Sequence, residues 1–129
     1  MSERNNIAGH SPYEATVGFS RVVVLGDRAV TAGTVAIDES GASVSPGDAG
    51  EQARYIFSML LGLLAEAGFS PGTVVRTRMF LTDIADEQAV AAAHAAHFAA
   101  IRPAATMLEV GALVRPELRI EIELEAQRA

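Results

Sequence analysis

Residues 118–125 read Leu-Arg-Ile-Glu-Ile-Glu-Leu-Glu, and this segment decides the fold. Apolar and charged residues alternate through its whole length, which is the period of a β-strand that buries one face. Its exposed row would contain Arg119, Glu121, Glu123 and Glu125. Such a row is either solvated or lines an interface or a cleft, because the burial of unpaired charges is costly.

A second run precedes this strand at residues 102–110, Arg-Pro-Ala-Ala-Thr-Met-Leu-Glu-Val. Between the two runs lies Val114-Arg115-Pro116-Glu117, where proline pre-sets the backbone angle of a turn. We therefore expect the two runs to be neighbouring antiparallel strands that form a hairpin.

The composition predicts one globular domain over residues 1–129, since half of the residues are hydrophobic and a fifth are charged. Cysteine is absent, which excludes disulfides, thiolate metal sites and a cysteine nucleophile. The N-terminus lacks the pattern of a signal peptide and no apolar run has the length of a membrane span, so we expect a cytoplasmic protein without a membrane partner. The net charge of -6 disfavours nucleic-acid partners.

The first 36 residues predict an arm followed by a hairpin. Residues 1–16 lack periodicity and are expected to form an extended N-terminal arm. Two β-branched runs, at 21–25 and 29–36, flank a Gly26-Asp27-Arg28 turn and predict the hairpin. Gly33, inside the second run, indicates either a simple bulge or the close approach of another backbone or a ligand.

Two helices and a strand follow. Asp48, with Glu51 three residues later, has the pattern of a helix cap, and apolar residues then recur at helical spacing up to a stop at Gly68. Residues 73–82 predict a strand, and residues 87–101 predict a second helix. The order of elements predicts an α+β fold with two helices on one face of a mixed sheet. The other face has no cover within the chain, which favours homo-oligomerisation.

His94 and His97 lie three residues apart on the second predicted helix, a spacing that can bind a metal. A metal site needs a third ligand, and no further metal-binding motif accompanies them. We therefore expect packed or partner-facing histidines and no metal.

Six segments of the chain, in this order and spacing, carry a resemblance to a known family: residues 30–34, 48–54, 74–83, 102–104, 108–110 and 120–123. Together they resemble the RidA family, also called YjgF or endoribonuclease L-PSP, over about residues 17–126. The resemblance implies a chorismate-mutase-like homotrimer with small-molecule clefts between its subunits. It also implies an activity, because the best-known members hydrolyse reactive enamines and imines, such as 2-aminoacrylate, to keto acids and ammonia without a cofactor.

The resemblance implies a role for particular residues. Glu121 matches a glutamate of the last strand and would be catalytic, and Gly33 matches a glycine of the second strand. The family's Gly-Pro-Tyr-Ser-Gln motif aligns best with residues 17–21, where Phe19 replaces the tyrosine, because Tyr13 lies too far upstream. The substrate-binding residues implied are Phe19, Arg21, Gly33, Thr34, Ala105, Thr106 and Met107.

Two of these positions depart from the family pattern and indicate a divergent subgroup. Ala105 stands where an arginine binds the substrate carboxylate, and alanine cannot replace that planar fork. Phe19 lacks the hydroxyl donor of the tyrosine. Arg21 or Arg78 is a possible source of charge from another direction, so we expect the cleft to persist with a different ligand.

Two functions remain open at this stage. An imine or enamine deaminase would use Glu121 to hold and activate a water molecule, although the same side chain could form a structural ion pair with Arg119 or with an arginine of a neighbouring subunit. The rival is a trimer that binds a small metabolite without catalysis. The acidic charge and the lack of a basic aromatic surface disfavour a ribonuclease or translation inhibitor, and a chaperone-like role leaves no signature.

Overall fold

The computed structural model describes residues 3–129, which form a six-stranded sheet and two α-helices. The strands lie in the order β1-β2-β3-β6-β4-β5, and every neighbouring pair is antiparallel except β4 and β5. This mixed sheet confirms the predicted α+β class. The elements are β1 Arg4–Ile7, β2 Val22–Leu25, β3 Arg28–Thr31, α1 Ala49–Glu66, β4 Val74–Leu81, α2 Glu87–Phe98, β5 Ala104–Glu109 and β6 Ile120–Gln127.

The alternating segment forms β6, which lies between β3 and β4 inside the sheet. Ile120, Ile122 and Leu124 are buried, whereas the glutamates between them are half-buried on the opposite face. The alternation therefore separates a core face from a charged face, as predicted.

The predicted hairpin between residues 102–110 and 118–125 is wrong. The first run contains β5, which pairs in parallel with β4 at the edge of the sheet, and β6 pairs with the other side of β4. Helix α2 returns the chain to the starting end of β4, so the strand that follows runs in the same direction as β4. Residues 110–119 consequently connect two strands that have β4 between them, and they do not close a hairpin.

Both helices lie on one face of the sheet, as expected, because α1 packs against α2 and against β6. Helix α1 begins after Asp48, whose carboxylate accepts the Glu51 N–H at 3.1 Å. Helix α2 ends at Phe98, earlier than predicted, and Arg102 then adopts a left-handed backbone conformation with a φ of 58° directly before Pro103. No helix within residues 3–129 has the length and apolarity needed to cross a bilayer.

The two histidines of α2 pack against α1, and His94 also contacts the sheet. His94 Nε2 lies 2.8 Å from Thr77 Oγ1, and the rings of His94 and His97 lie 5.6 and 5.3 Å from the Phe57 ring. Burial, and to a lesser degree the nearby His97, lowers the pKa of His94. Among the described residues, no group of three or more His, Cys, Asp or Glu side chains could hold a metal ion. Packing was one of the two roles expected for these histidines.

The arm expected over residues 1–16 is only partly extended, and residues 1 and 2 of it lie outside the described residues. Strand β1 pairs with β2 at the edge of the sheet, and Glu14–Gly18 forms a π-helical turn. The sequence does not reveal this strand because an exposed edge strand needs no apolar period.

Candidate active site

Glu121 extends from β6 over an irregular segment that follows β3. Strand β3 ends at Thr31, and the chain rejoins β6 at Thr34, whose N–H and C=O bond Ile122 at 2.9 and 3.0 Å. A Cβ atom added to Gly33 in this segment would lie 2.6 Å from Glu121 Oε2. The group that approaches Gly33 is therefore the side chain of Glu121, not the backbone or ligand that the sequence predicted, and the missing side chain leaves room for this carboxylate.

A buried arginine holds the backbone beside this carboxylate. Arg21 is 8% exposed, and its Nη1 donates to the Gly33 carbonyl at 3.0 Å and to Thr34 Oγ1 at 3.1 Å. Burial lowers the pKa of Arg21, and the carboxylates of Glu14 and Glu121 oppose that change. Arg21 thus links the irregular segment to the charge of Glu121.

Glu121 has no direct counter-charge in the part of the chain that the structure describes, since it takes part in none of the ion pairs within 4.0 Å. The pair considered with Arg119 is not formed, because Arg119 Nη2 binds Asp86 at 3.2 Å. Burial raises the pKa of Glu121, Glu123 raises it further, and Arg21 partly opposes both. A carboxyl group with a raised pKa is suited to exchange protons with a substrate.

Glu121 lies in the wall of a cavity of about 700 Å³. The cavity brings together five of the eight site residues that the sequence predicted, even though they come from separate segments of the chain. Those five are Phe19, Arg21, Gly33, Thr34 and Glu121.

The other three predicted site residues lie elsewhere in the chain. Ala105, Thr106 and Met107 belong to β5, which is separated from β6 by β4, and they do not line this cavity within one chain. Ala105 and Thr106 are exposed, whereas Met107 is half-buried against the core. Arg78, considered as a replacement charge, binds Glu123 and Glu125 and also lies outside the cavity.

Sequence reasoning missed Tyr13 and Arg115, which both line the cavity. Tyr13 was considered too distant along the chain, but Glu14 folds this segment inward. Its carboxylate accepts the backbone N–H groups of Gly9 at 3.0 Å and of Arg21 at 3.2 Å. The signal for Arg115 was its place in the Val114–Glu117 segment, which sequence analysis treated only as a turn.

Comparisons with known proteins agree with the resemblance seen in the sequence. The family model described as Endoribonuclease L-PSP matches residues 9–128. An uncharacterized protein of Streptomyces coelicolor is 36% identical over 92% of this chain and 87% of its own length. A protein of Acinetobacter baylyi named 3-aminoacrylate deaminase RutC is 37% identical over 70% of this chain and 71% of its own length. The crystal structure of a YjgF/YER057c/UK114 family member from Mycobacterium tuberculosis is 36% identical, has a TM-score of 0.87, and covers 98% of this chain and 100% of that chain.

Proposed function

Because the chain belongs to the endoribonuclease L-PSP family, which includes the RidA and YjgF proteins, we propose that it hydrolyses reactive imines or enamines without a cofactor. One observation carries the proposal: a half-buried carboxyl group, Glu121, faces a cavity without an ion-pair partner within residues 3–129. The name of the Acinetobacter relative, a 3-aminoacrylate deaminase, supports the same reaction class.

In the proposed reaction, Glu121 acts first as a base and then as an acid. Its carboxylate takes a proton from a water molecule while the water oxygen forms a bond to the imine carbon. Glu121 returns that proton to nitrogen as the C=N π bond opens, which gives a carbinolamine. Glu121 then moves the hydroxyl proton to nitrogen as the C–N bond breaks and the C=O bond forms, so that a carbonyl compound and ammonia leave. An enamine first takes up a proton at carbon and loses one from nitrogen to become the imine. Arg21 is a positioning residue, because it holds the Gly33 carbonyl and Thr34 in place beside the carboxylate.

We further propose that the working unit is a homotrimer and that its cavity is an intersubunit cleft. The apolar side chains of Tyr13, Val17 and Val114 line the cavity yet are 64%, 72% and 77% exposed, as expected for a wall that a neighbouring subunit completes. Strand β5 of that neighbour would bring in Ala105, Thr106 and Met107. A light-scattering mass equal to one chain would contradict this assembly. The cytoplasmic location expected from the sequence stays a prediction.

The rate of imine loss with and without the protein tests the proposal. Imines are generated in place from a panel of amino acids by an amino-acid oxidase, and from amines without a carboxylate by an amine oxidase. Their loss and the release of ammonia are followed with and without the protein. Accelerated loss for any member supports a deaminase.

A metabolite-binding trimer without catalysis is the second candidate, and the absence of the arginine at Ala105 and of the tyrosine at Phe19 favours it. Under this alternative, a ligand raises the melting temperature of the protein but is recovered unchanged. No acceleration of decay for any imine in the panel, combined with such a shift, would replace the deaminase proposal. The net charge of -6 continues to disfavour a ribonuclease.

A further inference from the structure

The cavity contains an arginine that pairs directly with no carboxylate within residues 3–129, although the Glu117 carboxylate interacts with its charge across Ser43. The sequence has ten arginines and no lysine, and within residues 3–129 the two arginines that line the cavity are Arg21 and Arg115. Arg21 is nearly buried and lies close to the carboxylates of Glu14 and Glu121. Arg115 is half-buried and forms no ion pair within the described part of the chain. An anion is therefore more readily bound at Arg115 than at Arg21.

The Arg115 guanidinium is fixed by neutral partners. Its Nη1 donates to the Gly41 carbonyl at 2.9 Å and to Ser43 Oγ at 3.1 Å. Ser43 in turn donates its hydroxyl to Glu117 Oε2 at 2.8 Å, which orients the Ser43 lone pairs towards Arg115. Nη2 and Nε make no hydrogen bond within residues 3–129, so one planar edge of the fork is available. A pre-oriented fork of this kind suits a carboxylate, because both oxygens can be bound at once.

Other charged groups of the cavity do not compete for this position. The carboxylate of Asp38 accepts bonds from the backbone N–H and the hydroxyl of Ser40 and from the N–H of Ala42, all to Oδ1. Glu39 is exposed to solvent. His10 Nε2 lies 2.8 Å from the carbonyl of Ile37 and is occupied by that bond. These groups leave Arg115 as the available anion-binding side chain.

We infer that Arg115 binds the carboxylate of the substrate and so takes the role that the family gives to the arginine absent at Ala105. The inference rests on the proposed function and deepens it. The apolar wall formed by Tyr13, Val17 and Val114 then receives the substrate's side chain. The cavity volume of about 700 Å³ lies within the range of sites for ligands much larger than a three-carbon acid. The substrate class is therefore a 2-imino acid with a large apolar side chain.

Two matched imines test this role, one made from phenylalanine and one from 2-phenylethylamine, which differ by the carboxylate. Arg115→Ala should lower kcat/KM for the phenylalanine imine by about 10- to 100-fold, the effect of losing a charge-assisted hydrogen bond. It should leave kcat/KM for the amine-derived imine unchanged, which also shows that the variant folds. Arg115→Lys should recover part of the loss. Arg54→Ala, which removes an exposed arginine of α1, is the control and should change neither value.

The outcomes separate this inference from the proposed function. Equal losses for both imines, or no loss for the phenylalanine imine, would overturn the role of Arg115 while leaving the deaminase intact. If the wild-type protein hydrolyses neither imine, calorimetric binding of phenylpyruvate decides. Binding to the wild type that weakens at least tenfold in Arg115→Ala would support the carboxylate site. Equal binding by both proteins, or no binding by the wild type, would overturn it.

Discussion

The two halves of β6 present the same residue type on the same face but in different surroundings. In the second half, Glu125 binds Arg28 at 2.9 Å and Arg78 at 3.1 Å, and Glu123 binds Arg78 at 3.4 Å. In the first half, Glu121 has no such partner within residues 3–129. One half stabilises the sheet, and the other lines a cavity.

The neighbouring strands cause this difference. In the register of β4 against β6, Arg76 and Arg78 lie opposite Glu125 and Glu123, but Phe80 lies opposite Glu121. On the other side, Gly33 presents no side chain to Glu121. Phe80 and the space beside Gly33 take the places of the two cations. Burial therefore raises the pKa of Glu121, and the charge of Arg21 opposes that rise only in part. The roles of the three glutamates of β6 thus depend on the residues beside them in the neighbouring segments, and not on the alternation within β6 itself.

Gly33→Ala should fill the space that the Glu121 carboxylate occupies beside the segment after β3. The new Cβ would lie 2.6 Å from Glu121 Oε2, so the carboxylate must move. We expect kcat/KM for a turned-over imine to fall by about 100-fold, the effect of misplacing a catalytic group by about 1 Å. The matched control is Gly62→Ala in α1, where a Cβ meets nothing within 4 Å. That variant should keep its activity, and wild-type kinetics for Gly33→Ala would contradict the close approach.

Glu125→Gln should weaken the structural half of the strand and leave turnover unchanged. The Glu125 side chain is 19% exposed and interacts with three arginines that are themselves 39–55% exposed, so solvent screens the pairs. We expect a loss of about 1 kcal/mol, or roughly 4 °C in Tm at one protein concentration. Glu66→Gln, at an exposed site in the last turn of α1, should leave Tm unchanged. A loss of turnover in Glu125→Gln at unchanged Tm would contradict a structural role for Glu125.

Glu121→Gln should stabilise the protein in a way that depends on pH. Because the folded-state pKa of Glu121 is raised, the folded protein keeps the proton to a higher pH than the unfolded chain. The stability from that proton is present below the ordinary carboxyl pKa of 4.5 and is lost as pH rises through the folded-state pKa. The ionised carboxylate is therefore a cost at pH 7, which glutamine removes. Tm should exceed that of the wild type by a small margin at pH 7, and this margin should shrink at pH 4. A larger Tm margin at pH 4 than at pH 7 would contradict the raised pKa.

The local structure was predictable from sequence because it depends on short-range patterns. The alternation at residues 118–125, the Gly26-Asp27-Arg28 turn and the Asp48 cap each specify an element through neighbouring residues. Strand order depends on contacts across the sheet, so the hairpin prediction failed. The match of Arg76 and Arg78 to the glutamates of β6 becomes visible only in the folded sheet.

The candidate site was also predictable only in part. Glu121 and Gly33 were predicted from the family resemblance and lie together, since they occupy elements that the sequence defines well. Tyr13 and Arg115 were missed because they lie on irregular segments. Their positions depend on hydrogen bonds made by Glu14 and Ser43 to distant backbone and side-chain groups, which no periodic pattern reports.

The most direct measurement compares kcat/KM for imine hydrolysis at pH 7 in Glu121→Gln and Glu123→Gln. These variants remove the same charge from the same face of β6, two residues apart. We predict a loss of about 100- to 10,000-fold for Glu121→Gln, the usual contribution of a general acid-base group. Glu123→Gln should keep its turnover, since Glu123 binds Arg78 and does not line the cavity. Full turnover in Glu121→Gln, or equal losses in both variants, would contradict a catalytic role for Glu121.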